Sequence, residues 1–238
     1  MPTLRRTDFA WEFLRRNERY RRHASSGCAE ARPWGLQFVA DPSTERVAQD
    51  VYWRPEVAPT HVIWLRRAAN DDGVRLDHVL DVTALRRTVD GVHVKLSGGL
   101  QAFVEGCEPS EPLAAIVPIS GSFSAALKGV SDLERVLRGG GLAADLSDQQ
   151  RARLQRVLRA LDAAQAHATY RQIAADIFGE EAVDRYDWRT SSVRDAAIRL
   201  VRTGRALSAG GYLRLLDPSA SRRPGLSPAL QPWLVHGT

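Results

Sequence analysis

Residues 169–216 read TYRQIAADIFGEEAVDRYDWRTSSVRDAAIRLVRTGRALSAGGYLRLL, and the order of features within them decides the fold of the carboxyl-terminal half. A short helix is expected at Tyr170–Phe178. Thr169 precedes it and Gln172 follows three residues on, the spacing at which two side chains satisfy each other's backbone N–H groups. Ile173, Ala174, Ile177 and Phe178 recur at helical period, so one face is apolar. Gly179 then ends the helix, because glycine enters the left-handed region without steric cost. A second helix is expected from about Ser191 to Thr203, with Thr190 as cap and Gly204 as stop. At about 100° per residue, Val193, Ala196, Ala197, Leu200 and Val201 form one stripe, and Ser191, Arg194, Arg199 and Arg202 lie opposite. The Gly210-Gly211 pair suggests a hairpin over Ala206–Arg214. Helix, turn, basic helix and hairpin together suggest a helix-turn-helix with a small wing, and hence double-stranded DNA as partner.

Charge sharpens that expectation. Between Trp188 and Arg214 there are six arginines and one acid, Asp195. Many surface helices carry arginines balanced by acids at i±4. Here only Asp195 balances, and it is spaced to pair with Arg199. Arginine suits phosphates and guanine edges because its planar fork donates two parallel hydrogen bonds. Ser191, Ser192 and Arg194, at the start of the helix, are expected to reach base edges. Arg189, Arg199, Arg202 and Arg205 are expected to hold phosphates. One feature fits less well: the turn Glu180–Arg189 spans ten residues, where the familiar motif uses about three or four.

The rest of the chain is consistent with a regulator. Its net charge of +5 is uneven: residues 1–146 carry 19 basic and 19 acidic side chains, and residues 147–238 carry 14 and 9. One end alone therefore has an electrostatic partner. No run of about 18 apolar residues exists to span a membrane. The start, MPTLRRTDFAWEF, lacks the apolar core of a secretory signal. Two distant cysteines, Cys28 and Cys107, fit a reducing cytoplasm.

In chain order, a helix is expected from Asp8 to about His23. Phe9, Trp11, Phe13 and Tyr20 would dock on the next domain, with contact of its arginines to nucleic acid the weaker reading. Short strands are expected at Trp34–Val39, Val51–Trp53, His61–Arg66, His78–Val82, His93–Leu96, Gln101–Val104 and Ala114–Ile119, separated by turn signals such as Asp90-Gly91. They suggest a small antiparallel sheet or partly closed barrel, with Trp34, Trp53 and Trp64 in or beside its core. Gly121–Arg138 reads as a bridging helix, with Ser131 and Glu134 at capping-box spacing. Gly139-Gly140-Gly141 reads as a hinge, since no Gly-Lys-Ser/Thr follows to make a phosphate loop. Asp148 to Ala166 reads as a long bracing helix capped by Ser147 and Gln150. The fold class is thus α+β: an N-terminal helix module (1–28), a small antiparallel β-rich domain (29–120), a bridging helix and hinge (121–146), an all-helical helix-turn-helix domain with a short wing hairpin (147–217), and a mobile tail (218–238).

Catalytic signatures are absent. No two of the six histidines sit at i, i+3 or i, i+4, and no Gly-x-Ser-x-Gly elbow or dinucleotide fingerprint occurs. His61, His78 and His93 lie in or near strands, a scatter that is more often structural than a zinc site. No enzyme activity, cofactor or metal is expected.

Several stretches resemble a two-part proteobacterial family. LDAAQAHATYRQIAADIFGEE and DWRTSSVRDAAIRLVRTGRALSAGGYLRLL are similar to an extended-turn variant of the helix-turn-helix, and DFAWEFLRRNERYRRHA is similar to the short aromatic module that often precedes it. PWGLQFVADP and VYWRP also look like that family. The resemblance takes in FseA-type transcriptional activators, which control excision and transfer of integrative and conjugative elements, and single-domain relatives that act as antiactivators. It accounts for the long turn. It implies that one side of the carboxyl-terminal domain binds DNA while the other meets the N-terminal module, with RNA polymerase and an antiactivator as further partners. The arginine excess points to the DNA-binding type; the alternative is an antiactivator that sequesters a related regulator without binding DNA.

Overall fold

The computed structural model describes residues 4–44, 51–76, 82–119, 122–184 and 187–217. The chain divides into two compact units. Among the described residues, one joins 4–21 with Asp145–Tyr212; the other comprises Arg22–Ala144 and 213–217. The architecture is α+β, as its periodicities indicate. Residues 77–81, which hold most of the expected strand His78–Val82, and the tail from 218 lie outside the described residues.

The sheet unit holds β1 (Val62–Arg67), β2 (Val82–Thr88), β3 (Gly91–Leu96), β4 (Gln101–Glu105) and β5 (Leu113–Ala115) in the order β2-β3-β4-β1-β5. β2, β3 and β4 form an antiparallel meander. Because its last strand returns beside the first, β1 and β4 run parallel. The sheet is therefore mixed, not the antiparallel sheet expected, since pairing partners are set by where the chain returns and not by strand periodicity. The Asp90-Gly91 turn signal marks the β2–β3 hairpin. Gly91 has φ 149°, and a Cβ there would lie 2.1 Å from the Val104 carbonyl oxygen, so no larger residue fits.

Alternation along β3 and β4 sorts the two faces. Val92, Val94, Leu96, Ala102 and Val104 join Ile63, Leu65 and Leu133 in one core. Leu133 comes from α3 (Phe123–Leu137), which packs on β1. Ser131 and Glu134 fall inside α3 and cap nothing, because the helix is already running at Phe123. On the opposite face, His93 stacks on Phe103 at 4.6 Å and meets Phe38 edge-on at 5.0 Å, with the Arg86 guanidinium 3.7 Å above the Phe38 ring.

The expected strands Trp34–Val39 and Val51–Trp53 are not strands. Arg32–Trp34 is a 3-10 turn, and a single bridge joins Leu36 to Trp53. Gln101 takes the place of a strand neighbour: its buried amide accepts from Trp53 N–H at 3.1 Å and donates to Val51 O at 3.2 Å. These bonds satisfy backbone that would otherwise be stranded in the interior. Trp53 is fully buried, whereas Trp34 and Trp64 are partly so.

The helical unit contains α1 (Arg6–Leu14), α4 (Asp148–Gln165), α5 (Tyr170–Phe178), α6 (Glu180–Asp184) and α7 (Ser192–Ala206); α2 (Glu18–Ser25) follows α1 and runs past the boundary between the units. The single helix expected over 8–23 is broken at Asn17. Its Oδ1 accepts from the N–H groups of Arg19 at 2.8 Å and Tyr20 at 3.1 Å and so starts a new helix. Phe9, Trp11, Phe13 and Tyr20 are all buried, and α1 packs on α4 and on the turn after α7. Asn17 Nδ2 donates to Ser208 O in that turn at 2.7 Å. Residues 4–21 are thus part of the helical unit itself. The carboxyl-terminal helices share a core of Ala160, Ile173, Ala174, Val183, Ala197 and Val201, sealed by Ile177, Phe178, Trp188, Val193 and Leu200. Among the described residues, no helix is long and apolar enough to cross a membrane.

Candidate nucleic-acid interface

The local signals that start α5 act as their spacing suggests. Thr169 Oγ1 accepts from Gln172 N–H at 3.3 Å, Gln172 Oε1 accepts from Thr169 N–H at 2.8 Å, and Gly179, at φ 90°, ends the helix at Phe178. The long turn that follows has structure of its own: α6, then a 3-10 turn at Trp188–Thr190 that starts where Asp187 Oδ1 accepts from Arg189 N–H at 3.0 Å.

α7 begins one residue later than Thr190 would place it. Ser191 is the cap, its Oγ accepting from Val193 N–H at 3.2 Å. Its side chain is only 3% exposed. Ser191 therefore positions the first turn of α7 and is not itself turned outward. Gly204 does not stop the helix. It is buried inside α7, where a Cβ would stand 2.9 Å from Leu161 Cβ and 3.2 Å from Val157 O. Glycine there lets α4 and α7 approach closely.

The wing is not a hairpin. Leu207–Gly211 forms a π-helical turn and Leu213–Leu216 a short helix, α8, which belongs to the sheet unit with Arg214. Gly210, at φ 127°, bends the chain so that Tyr212 N–H reaches Leu207 O at 2.9 Å. Ser208 and Tyr212 are buried, which a solvent-edged hairpin tip would not achieve.

Outward from this frame stand the cations. Arg189, Ser192, Arg199, Arg202 and Arg205 are exposed, and Arg194 is partly so. By helical geometry Arg202 lies near the centre of the outward face of α7, with Arg199 to one side and Arg194 and Arg205 to the other. Among the described residues, Arg189, Arg199, Arg202 and Arg205 make no ion pair. Elsewhere in the unit several acids are committed: Asp162 and Glu12 to Arg16, Glu12 also to Arg15, Asp148 to Arg151, Asp176 to Arg159 and Asp184 to Arg171. Asp195 does not take Arg199. Its contact is with the adjacent Arg194, at 3.5 Å. Arg153 and Arg156 on α4 are also exposed and unpaired among the described residues. Helical period alone marks them only as part of the bracing helix. Arg15 and Arg16 of the N-terminal module, by contrast, are tied into the unit.

The described residues contain no group of three His, Cys, Asp or Glu able to hold a metal ion. His61 and His93 are buried, and His78 lies outside the described residues.

Two regions of the chain match known families. Residues 116–217 match the family described as "T6SS, Transcription factor, DNA binding domain", of the RovC type. Residues 1–39 match the proteobacterial transcriptional regulator-like domain. No curated protein matches the chain. The chain therefore carries the domains of a DNA-binding transcriptional regulator, and the DNA-binding match contains α4 to α7 entire.

Proposed function

We propose that this protein is a sequence-specific regulator that binds double-stranded DNA through the outward face of α7, and that it activates excision and transfer genes of a mobile element in the cytoplasm. The observation that carries the DNA contact is the set of four exposed guanidiniums, Arg189, Arg199, Arg202 and Arg205, with no ion pair among the described residues, inside the matched DNA-binding domain. Arg199, Arg202 and Arg205 share the outward face of α7, with Arg189 in the turn before it, and such free cations are placed to release counterions from a phosphate backbone, which gives salt-dependent affinity. α5, the structured turn and α7 then act as an extended-turn helix-turn-helix. Ser192 and Arg194 stand at the N-terminal end of the reading helix, the end that meets base edges in this class of motif, and Ser191 holds that end in place. The activator role and the mobile element rest on the resemblance to FseA-type regulators, as do contacts with RNA polymerase and an antiactivator. The antiactivator reading for this chain itself draws no support from a surface that keeps its cations.

A mobility-shift titration at several salt concentrations tests the contact. Arg202→Ala is expected to weaken binding to all duplexes and to reduce the salt slope by about one unit. Arg194→Ala is expected to cost ~1–3 kcal/mol at one base position. Salt-independent binding, or full binding by the double variant, contradicts the reading. A genome-wide binding map, with reporter fusions to the promoters it finds, tests the activator role and the mobile element.

A further inference from the structure

The outward row of α7 runs Ser192, Asp195, Arg199, Arg202 and Ala206, at steps of three and four residues, and every member is exposed. Asp195 is its anomaly. It is the sole acid between Trp188 and Arg214. A carboxylate in that row opposes a polyanion and weakens any contact made through phosphates alone. Its ordinary structural use would be an ion pair with Arg199, one turn on, yet the pair is not made. Its contact is Arg194 Nη1 at 3.5 Å, the outer limit of a hydrogen bond, and the carboxylate stays 58% exposed. Asp195 sits in the first turn of α7, the end of a recognition helix that contacts base edges. There a carboxylate can accept a hydrogen bond from an exocyclic amino group, which the major groove offers at cytosine N4 and at adenine N6; adenine sets its N7 acceptor beside that amino group and repels a carboxylate, so cytosine is the better match.

We propose that Asp195 is a specificity-determining residue of this interface, accepting from a cytosine N4 amino group in the major groove while its charge discourages binding to unselected sequence. This rests on the reading that α7 faces DNA. The competing role is purely structural, since an acid in the first turn also stabilises the helix dipole. The two differ in what they move: the dipole role moves stability, whereas base readout moves sequence preference.

The test selects bound duplexes from a randomised library with the full chain and with Asp195→Asn and Asp195→Ala, alongside thermal unfolding of all three. The wild type is expected to enrich cytosine at a position where both variants lose it by about tenfold, the scale of one base contact. Asp195→Asn is expected to gain adenine there, because its amide matches adenine N6 and N7. Both variants are expected to bind unselected duplex more tightly at equal salt. Unchanged preference at every position, with only a lower unfolding temperature in the variants, overturns the role of Asp195 and leaves the DNA interface standing. Failure of the wild type to enrich any sequence overturns the interface, and this proposal with it.

Discussion

Ser191 and Ser192 are neighbours with the same side chain and opposite tasks. Ser191 Oγ closes the first turn of α7 from a buried position, and Ser192 faces out. Ser191→Ala is expected to cost about 1 kcal/mol of stability through loss of the cap, with base preference unchanged. Urea unfolding and a sequence selection on the same variant check both halves; a changed preference would return Ser191 to the reading surface. His93 is the other residue whose setting dominates its chemistry. It is 3% exposed, and its Nε2 has no hydrogen-bond partner among the described residues. Burial, and then the Arg86 guanidinium, push its pKa down from 6.5 to about 4, with Arg54 adding to the effect and Asp90 opposing it. The neutral ring is the folded form, so its contribution is complete above about pH 6.5 and is lost as pH falls toward 4. At 1.36 kcal/mol per pKa unit the loss is at most about 3 kcal/mol. Unfolding midpoints between pH 7 and 4 are expected to fall less in His93→Phe, a similar ring without a titrating nitrogen. Equal slopes in the two proteins would remove His93 from the account.

Helices are where local and tertiary signals part company. α5 and α4 were legible because their caps are reciprocal bonds between residues three apart, which need no distant partner. Gly204 was misread for the complementary reason. A glycine near the end of a periodic run looks like a stop, but its role is set by Leu161 and Val157, more than forty residues away on α4. On an exposed helix Gly→Ala gains about 1 kcal/mol. At Gly204 the added methyl meets Leu161 Cβ, an atom that cannot swing aside, and overpacking of this kind costs ~1–3 kcal/mol. Gly204→Ala is therefore expected to lower stability, and denaturant titration shows the sign. The same logic explains Gly210-Gly211: the pair permits a tight bend of either kind, and burial of Ser208 and Tyr212 selected the helical one.

Across the whole molecule, charge and fold divide the labour between the two units, with the excess of cations in the carboxyl-terminal part of the chain. What the amino-acid order determined alone was what depends on near neighbours. It specified the caps and period of α4 and α5, the apolar and cationic faces of α7, the turn at Asp90-Gly91 and the α+β class. The cationic face was legible because the sequence between Trp188 and Arg214 sets a single acid, Asp195, against six arginines. What depends on distant contacts only the tertiary structure decided. It set the parallel pairing of β1 with β4, the replacement of two expected strands by bonds from Gln101, and the break at Asn17. It placed the N-terminal aromatics in the core of the helical unit and turned Ser191 inward. The physical reason is one of range: caps and periodicity are satisfied within about a turn of chain, whereas burial and close approach are satisfied only by partners that folding brings near.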